Sequence, residues 1–456
     1  VADYETLRQA HAARMMASFP DHYARLTWPV ERLRAEREAR LRALVAHAQA
    51  RSPWHRRRLS RVAAERLGEA GLRALPIMTK HDLMDHFDAI VTDPRLTRDV
   101  VETHLDGLTT DAYLLDEYHA CASGGSSGRR GIFVYDREAW STTWASVMRF
   151  TMPRIQQALG SAEPPRMALV AADKATHMTA ALGQTFPPPG GSDTLRRLPA
   201  TWPLARLVAA LNERQPNVLV GYGSMIHQLT GEAAAGRLRI APKLVSTTSE
   251  PLLPEIRAAI AATWGVPILN SFGSTEGLMG GSCTAERGLH LSDDLFVIEP
   301  VDHTGRPVPP GERAAKMYLT RLYNFTQPLI RYELTDEITV LEGPCPCGTT
   351  LLRIDDIEGR LDDGFAYPGG PTVHPFTFRS ILGQERALVE YQVRQTPRGA
   401  EILVRAQGVV DAERIAAKIA AALAALDLPA PVVIVRSVAA LERQATGKLR
   451  RFVPLA

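Results

Sequence analysis

A run of small and hydroxylated residues, Ser123-Gly124-Gly125-Ser126-Ser127-Gly128-Arg129-Arg130, is the strongest local chemical signal in the chain. Glycines let the backbone turn successive N–H groups inward, and the serine hydroxyls add donors, a combination suited to phosphate oxygens. By itself such a run reads more readily as a flexible loop. It lacks the Gly-Lys-Ser/Thr ending of a Walker loop, so a nucleotide would need a site of another kind. A second segment, Phe272-Gly273-Ser274-Thr275-Glu276-Gly277, joins small residues, which let a ligand reach the backbone, to one carboxylate able to hold a metal or a hydroxyl.

A metal-type set lies further on. Cys283 and His290 are separated by six residues, and Cys345-Pro346-Cys347-Gly348 brings two thiols together. Three thiols and one imidazole make a closed tetrahedral set suited to structural zinc. The spacing is irregular, and inert buried thiols account for it equally well. Cys121 reads as a small packing residue.

The elements that must position these groups follow from periodicity. Tyr4 to Ala70 reads as helical, with breaks expected at Pro20, Pro29 and Pro53. Asn217 to Val220, Lys243 to Ser246 and Val266 to Leu269 read as short buried strands. They alternate with helices at Ser224 to Ala235 and Pro254 to Trp264, the second carrying Ile256, Ala259, Ile260 and Trp264 on one face. This order predicts an α/β fold with a doubly wound, mostly parallel sheet, whose ligand crevice lies beyond the carboxyl ends of the strands. The Phe272–Gly277 loop sits at such an end. The tail changes character: strands at Val389–Val393, Glu401–Val404 and Val432–Val435 with a helix from Asp411 to Leu426 predict a small α+β module. The expected division is a large domain over 1–360 and a small one over 361–456.

At 456 residues two domains are the expected minimum, and 45% hydrophobic with 23% charged residues is a globular balance. Lys and Arg number 53 against 50 Asp and Glu, a net of +3, which argues against a dedicated nucleic-acid binder. The most apolar stretch, Ile415 to Val435, is broken by Lys418, Asp427, Pro429 and Pro431, so no membrane span is expected. Glu5, Arg8 and Arg14 interrupt any apolar leader. Four cysteines do not suggest a secreted disulfide scaffold, and the cytoplasm is the expected compartment.

Taken together, Ser123–Arg130, Phe272–Gly277, Pro328–Asp336, Ile357–Asp363 and Gln444–Arg451 resemble, in the same order, the motifs of the acyl-adenylate-forming superfamily. The resemblance is closest to its phenylacetate–coenzyme A ligase branch, which Leu75-Pro76-Ile77-Met78-Thr79-Lys80 with Asp82-Leu83 also resembles. It implies that Ser123, Gly124, Gly125, Ser126, Ser127 and Gly128 close over the phosphates of ATP. Thr275 would contact a phosphate and Glu276 would hold Mg²⁺. Asp336 would bind the ribose hydroxyls with Arg360 nearby, and Ser249, Glu250, Pro251, Asn270, Ser271, Phe272 and Gly273 would complete the nucleotide site. Asp362 falls at the hinge position of the small domain. Some members of the branch carry a Cys/His set similar to the one above.

Lys448, in Thr446-Gly447-Lys448, is the implied catalytic lysine. Attack of a carboxylate on an α-phosphate brings negative charges together, and a cation on a long stem offsets them. Read alone, it is a solvated tail residue among Arg443, Arg450 and Arg451. The acyl pocket is implied to involve Lys174 to Ala181, Gly221-Tyr222-Gly223 and Ser246 to Ser249. His177, Tyr222, Gly223 and Thr248 are its candidate lining, His177 and Tyr222 reading equally as core residues; His374 reads as structural.

The chain also departs from the superfamily. Arg130-Gly131 replaces a Pro-Lys pair, Leu334-Thr335 replaces Thr-Gly before Asp336, and Thr247-Thr248-Ser249 replaces a glycine-rich stretch before Glu250-Pro251. The expected activity is ATP-dependent conversion of a carboxylic acid, aromatic first, to its acyl-adenylate with release of pyrophosphate. Transfer to a thiol follows, coenzyme A ahead of a carrier protein or an amine. Activation of a small inorganic acid such as nitrite and a non-catalytic nucleotide-binding role are the remaining alternatives.

Overall fold

A computed structural model describes residues 3–123, 131–160, 163–172, 175–186, 194–285, 288–355, 357, 364–373, 375–383, 385, 387–444 and 449–455. The chain forms two compact units. The first comprises Val1–Met167, Asp173–Arg196 and Leu269–Ile357, the second Ala168–Ala172, Arg197–Ile268 and Glu358–Ala456.

The first unit opens with helices Tyr4–Ala24 and Val30–Arg51. The break expected at Pro20 does not occur, and the helix runs through it. Proline there withdraws the donor from the Met16 carbonyl, and Met16 is 54% exposed, so water can replace the lost bond. Pro29 and Pro53 do sit at helix starts. The second helix turns Leu41, Leu44, Val45 and Ala48 onto Val297, Leu322 and Ile330. The Tyr118–Ala122 strand pairs antiparallel with Ile132–Asp136, from Tyr118 opposite Asp136 to Ala122 opposite Ile132. Asp136 then caps the Arg137–Leu159 helix by accepting from Ala139 N–H at 2.8 Å. Phe296–Val301, Lys316–Arg321 and Tyr332–Leu334 form a three-stranded antiparallel sheet. A large apolar core links these pieces, with Phe133, Tyr135, Trp140 and Phe296 among its buried members.

In the second unit the strands run in the order Leu195–Pro199, Met167–Ala171, Val218–Gly221, Leu244–Thr248, and the last two are parallel. Helices Gly223–Ala234 and Pro254–Trp264 alternate with them, the pattern expected of a doubly wound α/β layer. Ile256 and Ile260 are the buried face of the second helix. The third strand of the sequence pattern lies at Ile268–Gly273 rather than Val266–Leu269. It runs on because Ser271, Phe272 and Gly273 pair with Gly281, Gly280 and Met279, a partner that local periodicity does not reveal. The tail forms a four-stranded sheet in the order Val432–Ser437, Gly399–Ala406, Leu388–Thr396, Phe452–Val453, packed on the Ala412–Ala424 helix through Ile415, Ile419 and Leu423. Among the described residues no helix is long and apolar enough to cross a membrane.

Candidate active site

The glycine- and serine-rich run lies in sequence between the paired Tyr118–Ala122 and Ile132–Asp136 strands. Its base is closed at Ser123, whose N–H donates to Gly131 O at 2.9 Å while its Oγ accepts from Gly131 N–H at 2.8 Å. Gly124, Gly125, Ser126, Ser127 and Gly128 lie outside the described residues, as do Arg360, Asp362, Lys448, Lys174 and His374. The Ile132–Asp136 strand is held by Gln327, which accepts from Val134 N–H at 3.1 Å and donates to Ile132 O at 3.1 Å. Asn324 donates to Val134 O at 2.8 Å.

The Thr275–Gly277 turn is held with equal care. Its carbonyls receive three side-chain donors in succession: Tyr135 Oη on Thr275 O at 2.6 Å, Arg321 Nη1 on Glu276 O at 2.8 Å, and Tyr323 Oη on Gly277 O at 3.0 Å. Arg321 is fully buried, and its Nη2 donates to Gln327 O at 2.8 Å. A continuous line of hydrogen bonds therefore runs from the hairpin through Gln327 and Arg321 to Glu276. Burial pushes the Tyr323 phenol up to about 12 and Tyr135 well above its ordinary range, although Arg321 pulls both down. Both phenols remain protonated and so remain donors. Gly277 has φ +96°, and a Cβ there would fall 2.2 Å from Tyr323 Oη.

Glu276 and Asp336 are both buried acids. Burial first, and the Glu276 carboxylate next, raise the Tyr332 phenol. Asp336 follows the Tyr332–Leu334 strand, and that strand is fastened by Met78, whose N–H donates to Arg331 O at 2.9 Å and whose O accepts from Glu333 N–H at 2.8 Å. The Leu75–Leu83 segment thus anchors the strand that leads to Asp336, and Thr79 with Asp82 forms a capping box that starts its helix. Asn270 N–H donates to Ser282 Oγ at 2.6 Å, and Phe272 packs against the main core. His177 is half-buried at the start of the Met178–Thr185 helix.

Within the second unit, Thr248 ends its parallel strand and Ser249 adopts φ +64°. The Glu250 carboxylate is committed to the start of the Gly223–Ala234 helix: it accepts from Ser224 N–H at 2.9 Å and Ser224 Oγ at 3.2 Å. It also accepts from the N–H of Leu449, the residue after Lys448, at 3.0 Å. Pro251 follows, and its carbonyl lies 3.4 Å from where a Cβ on Gly223 would stand. Tyr222 is a core residue whose hydroxyl accepts from Ala172 N–H at 2.9 Å.

The structure also gathers the metal-type set. The ligand atoms of Cys283, His290, Cys345 and Cys347 all lie within 4.8 Å of one another. Cys283 Sγ is 3.3 Å from Cys345 Sγ, and Cys347 Sγ is 3.3 Å from His290 Nε2. Ligands of a tetrahedral zinc stand about 3.5–3.8 Å apart. His290 Nδ1 faces Leu351 O at 3.0 Å, which leaves Nε2 turned to the thiols. Thr349 N–H at 3.4 Å and Ala285 N–H at 3.4 Å donate to the Cys347 and Cys283 sulfurs. This donor set fits a zinc ion.

Sequence reasoning missed Tyr135, Arg321, Tyr323 and Gln327. An arginine ending the otherwise apolar Met317-Tyr318-Leu319 stretch was the one readable signal.

No family model matches the chain. It is 28% identical over 407 residues to a phenylacetate–coenzyme A ligase of Thermus thermophilus, covering 84% of this chain and 81% of that protein. The chain is thus similar to the acyl-adenylate-forming superfamily. Within it the similarity is to the phenylacetate–coenzyme A ligase branch. The fold recurs in 2-hydroxyisobutyryl-CoA ligase in the postadenylation state in complex with 2-HIB-AMP. That match has a TM-score of 0.72 at 19% identity and covers 94% of this chain and 91% of that one. An open conformation of the same ligase in complex with 2-HIB-AMP and CoA matches with a TM-score of 0.60 at 19% identity, covering 95% and 93%.

Proposed function

We propose that this chain is an AMP-forming acid–thiol ligase. The carboxylate of an acid, of aromatic type, attacks the α-phosphorus of ATP to give acyl-AMP and pyrophosphate, and the thiol of coenzyme A then attacks the acyl carbon and expels AMP. The observation that carries this reading is the hydrogen-bonded line joining the Ser123-closed hairpin to the buried Glu276 turn through Gln327 and Arg321. It ties the strand that follows the phosphate-type run to the main chain of the metal-type acid.

In this reading Ser123–Gly128 holds the phosphates, Thr275 contacts one of them, and Asp336 takes the ribose hydroxyls with Arg360 beside it. Glu276 holds Mg²⁺, which when bound offsets phosphate charge. Lys448 offsets charge on the α-phosphate from a small domain over 361–456 that turns about Asp362. Cys283, His290, Cys345 and Cys347 hold a structural zinc ion, which would tie together the two loops that carry them.

The test is a panel of aromatic and aliphatic acids with ATP and Mg²⁺, scored by pyrophosphate exchange, with coenzyme A and a carrier protein as separate acceptors. Exchange with one acid class, falling about 100-fold or more in Lys448→Ala, is the expected result. No exchange with any acid would remove the reading.

A further inference from the structure

We infer that Tyr135, Arg321 and Tyr323 form a donor triplet that sets the backbone of Thr275 and Glu276 for binding of Mg·ATP. Arg321 and Tyr323 are thereby positioning residues for nucleotide binding. The inference rests on the ATP-dependent reading above.

The geometry is specific to the turn. Three consecutive carbonyls are each met by a side-chain donor, one from the Ile132–Asp136 strand and two from the end of the Lys316–Arg321 strand and just beyond it, at 2.6, 2.8 and 3.0 Å. Consecutive peptides held in this way cannot rotate without breaking a bond, so the directions of the Thr275 and Glu276 side chains follow from the donors. The donors are themselves fixed. Tyr323 Oη lies 3.0 Å from Thr143 Oγ1, and the Arg321 guanidinium lies 4.8 Å from the Tyr135 ring centroid. The turn threads between the two phenols, since a Cβ on Gly277 would stand 2.2 Å from Tyr323 Oη and 3.1 Å from Tyr135 Oη.

Packing alone does not account for Arg321. It is 0% exposed, its Nε has no hydrogen-bond partner among the described residues, and its Nη atoms end on two main-chain carbonyls. An apolar side chain would fill that volume without bringing a permanent charge out of water. What the guanidinium adds is a forked link, with one arm on the carbonyl of Glu276 and the other on that of Gln327, whose side chain grips the hairpin. The strand bearing Ile132 and Val134 and the main chain of Glu276 are thus linked by one side chain.

The experiment compares wild type with Arg321→Lys and Tyr323→Phe in pyrophosphate exchange, varying Mg·ATP at saturating acid and the acid at saturating Mg·ATP. Each variant should raise the KM for Mg·ATP about five- to tenfold and leave the KM for the acid within about twofold. A purely structural role would lower the melting temperature and the active fraction without moving either KM. Should Arg321→Lys fail to fold, Tyr323→Phe decides, because its ring keeps the edge-on contact with Phe296 at 5.6 Å. Wild-type exchange with the Mg·ATP KM unchanged in the folded variants overturns the positioning role alone. Absence of exchange in wild type overturns the ATP-dependent reading with it.

Discussion

Gly277 shows how tightly single atoms govern this site. Its positive φ and the two phenolic oxygens around it leave no room for a methyl group. Gly277→Ala should therefore destabilise the protein by about 2 kcal/mol or more, read as a lower urea midpoint with unchanged slope. Wild-type stability in that variant would mean that the turn relaxes freely. Glu276 and Asp336 were legible as candidates because carboxylates beside glycine and hydroxyl residues are conspicuous. Their supports were not legible. Tyr135 and Tyr323 look like any core aromatic until the hydroxyls are seen to end on carbonyls 140 and 46 residues away in the chain. Glu250 was expected in the nucleotide site through the resemblance; the contact of its carboxylate with a helix N-terminus was not legible.

At the scale of elements, alternation of strands and helices between Asn217 and Trp264 was legible because each buries one regular face. The Ile268–Gly273 strand was misplaced by its antiparallel partner, and the helix runs on through Pro20 where the preceding turn, at Met16, is exposed. The clearest element-level prediction concerns the loops bearing Cys283 and Cys345. Metal analysis should find one zinc per chain, and Cys347→Ala should lose it, with a fall in melting temperature that reflects several kcal/mol of linked stability. Zinc content unchanged after replacement of all four ligands would remove the site.

Across the whole molecule, stability should depend on pH through buried imidazoles. Burial holds His11 down to about 4, and burial with Arg58 nearby holds His55 down to about 3, from an ordinary 6.5. Both are neutral in the fold, so their contribution is complete above pH 6.5. It is lost as pH falls toward 4, where only the unfolded chain takes up protons. Asp293 acts in the other direction: burial pushes it up to about 6, so its contribution is present in acid and lost as pH rises through that value. With about 1–2 kcal/mol lost per histidine between pH 7 and 5, the melting temperature should fall over that interval. A flat profile would contradict the assignment of neutral, buried rings.

Two hydrogen bonds near the zinc-type loop reach far back along the chain: Thr350 N–H donates to Leu26 O at 2.9 Å and Thr350 Oγ1 to Trp28 O at 2.7 Å. The neighbouring Val30–Arg51 helix draws part of its apolar cover from Leu59, Leu67, Leu72 and Leu75 close behind it and the rest only from Val297, Leu322 and Ile330. During synthesis the first helices therefore leave the ribosome long before the whole surface that covers them exists. At roughly 5–20 residues per second, the 324 residues between Leu26 and Thr350 take on the order of 15–65 seconds to make. Until Val297, Leu322 and Ile330 are made, the cover of Leu41, Leu44 and Val45 is incomplete, and a nascent chain stalled before residue 297 should be held by chaperones that a completed chain no longer engages.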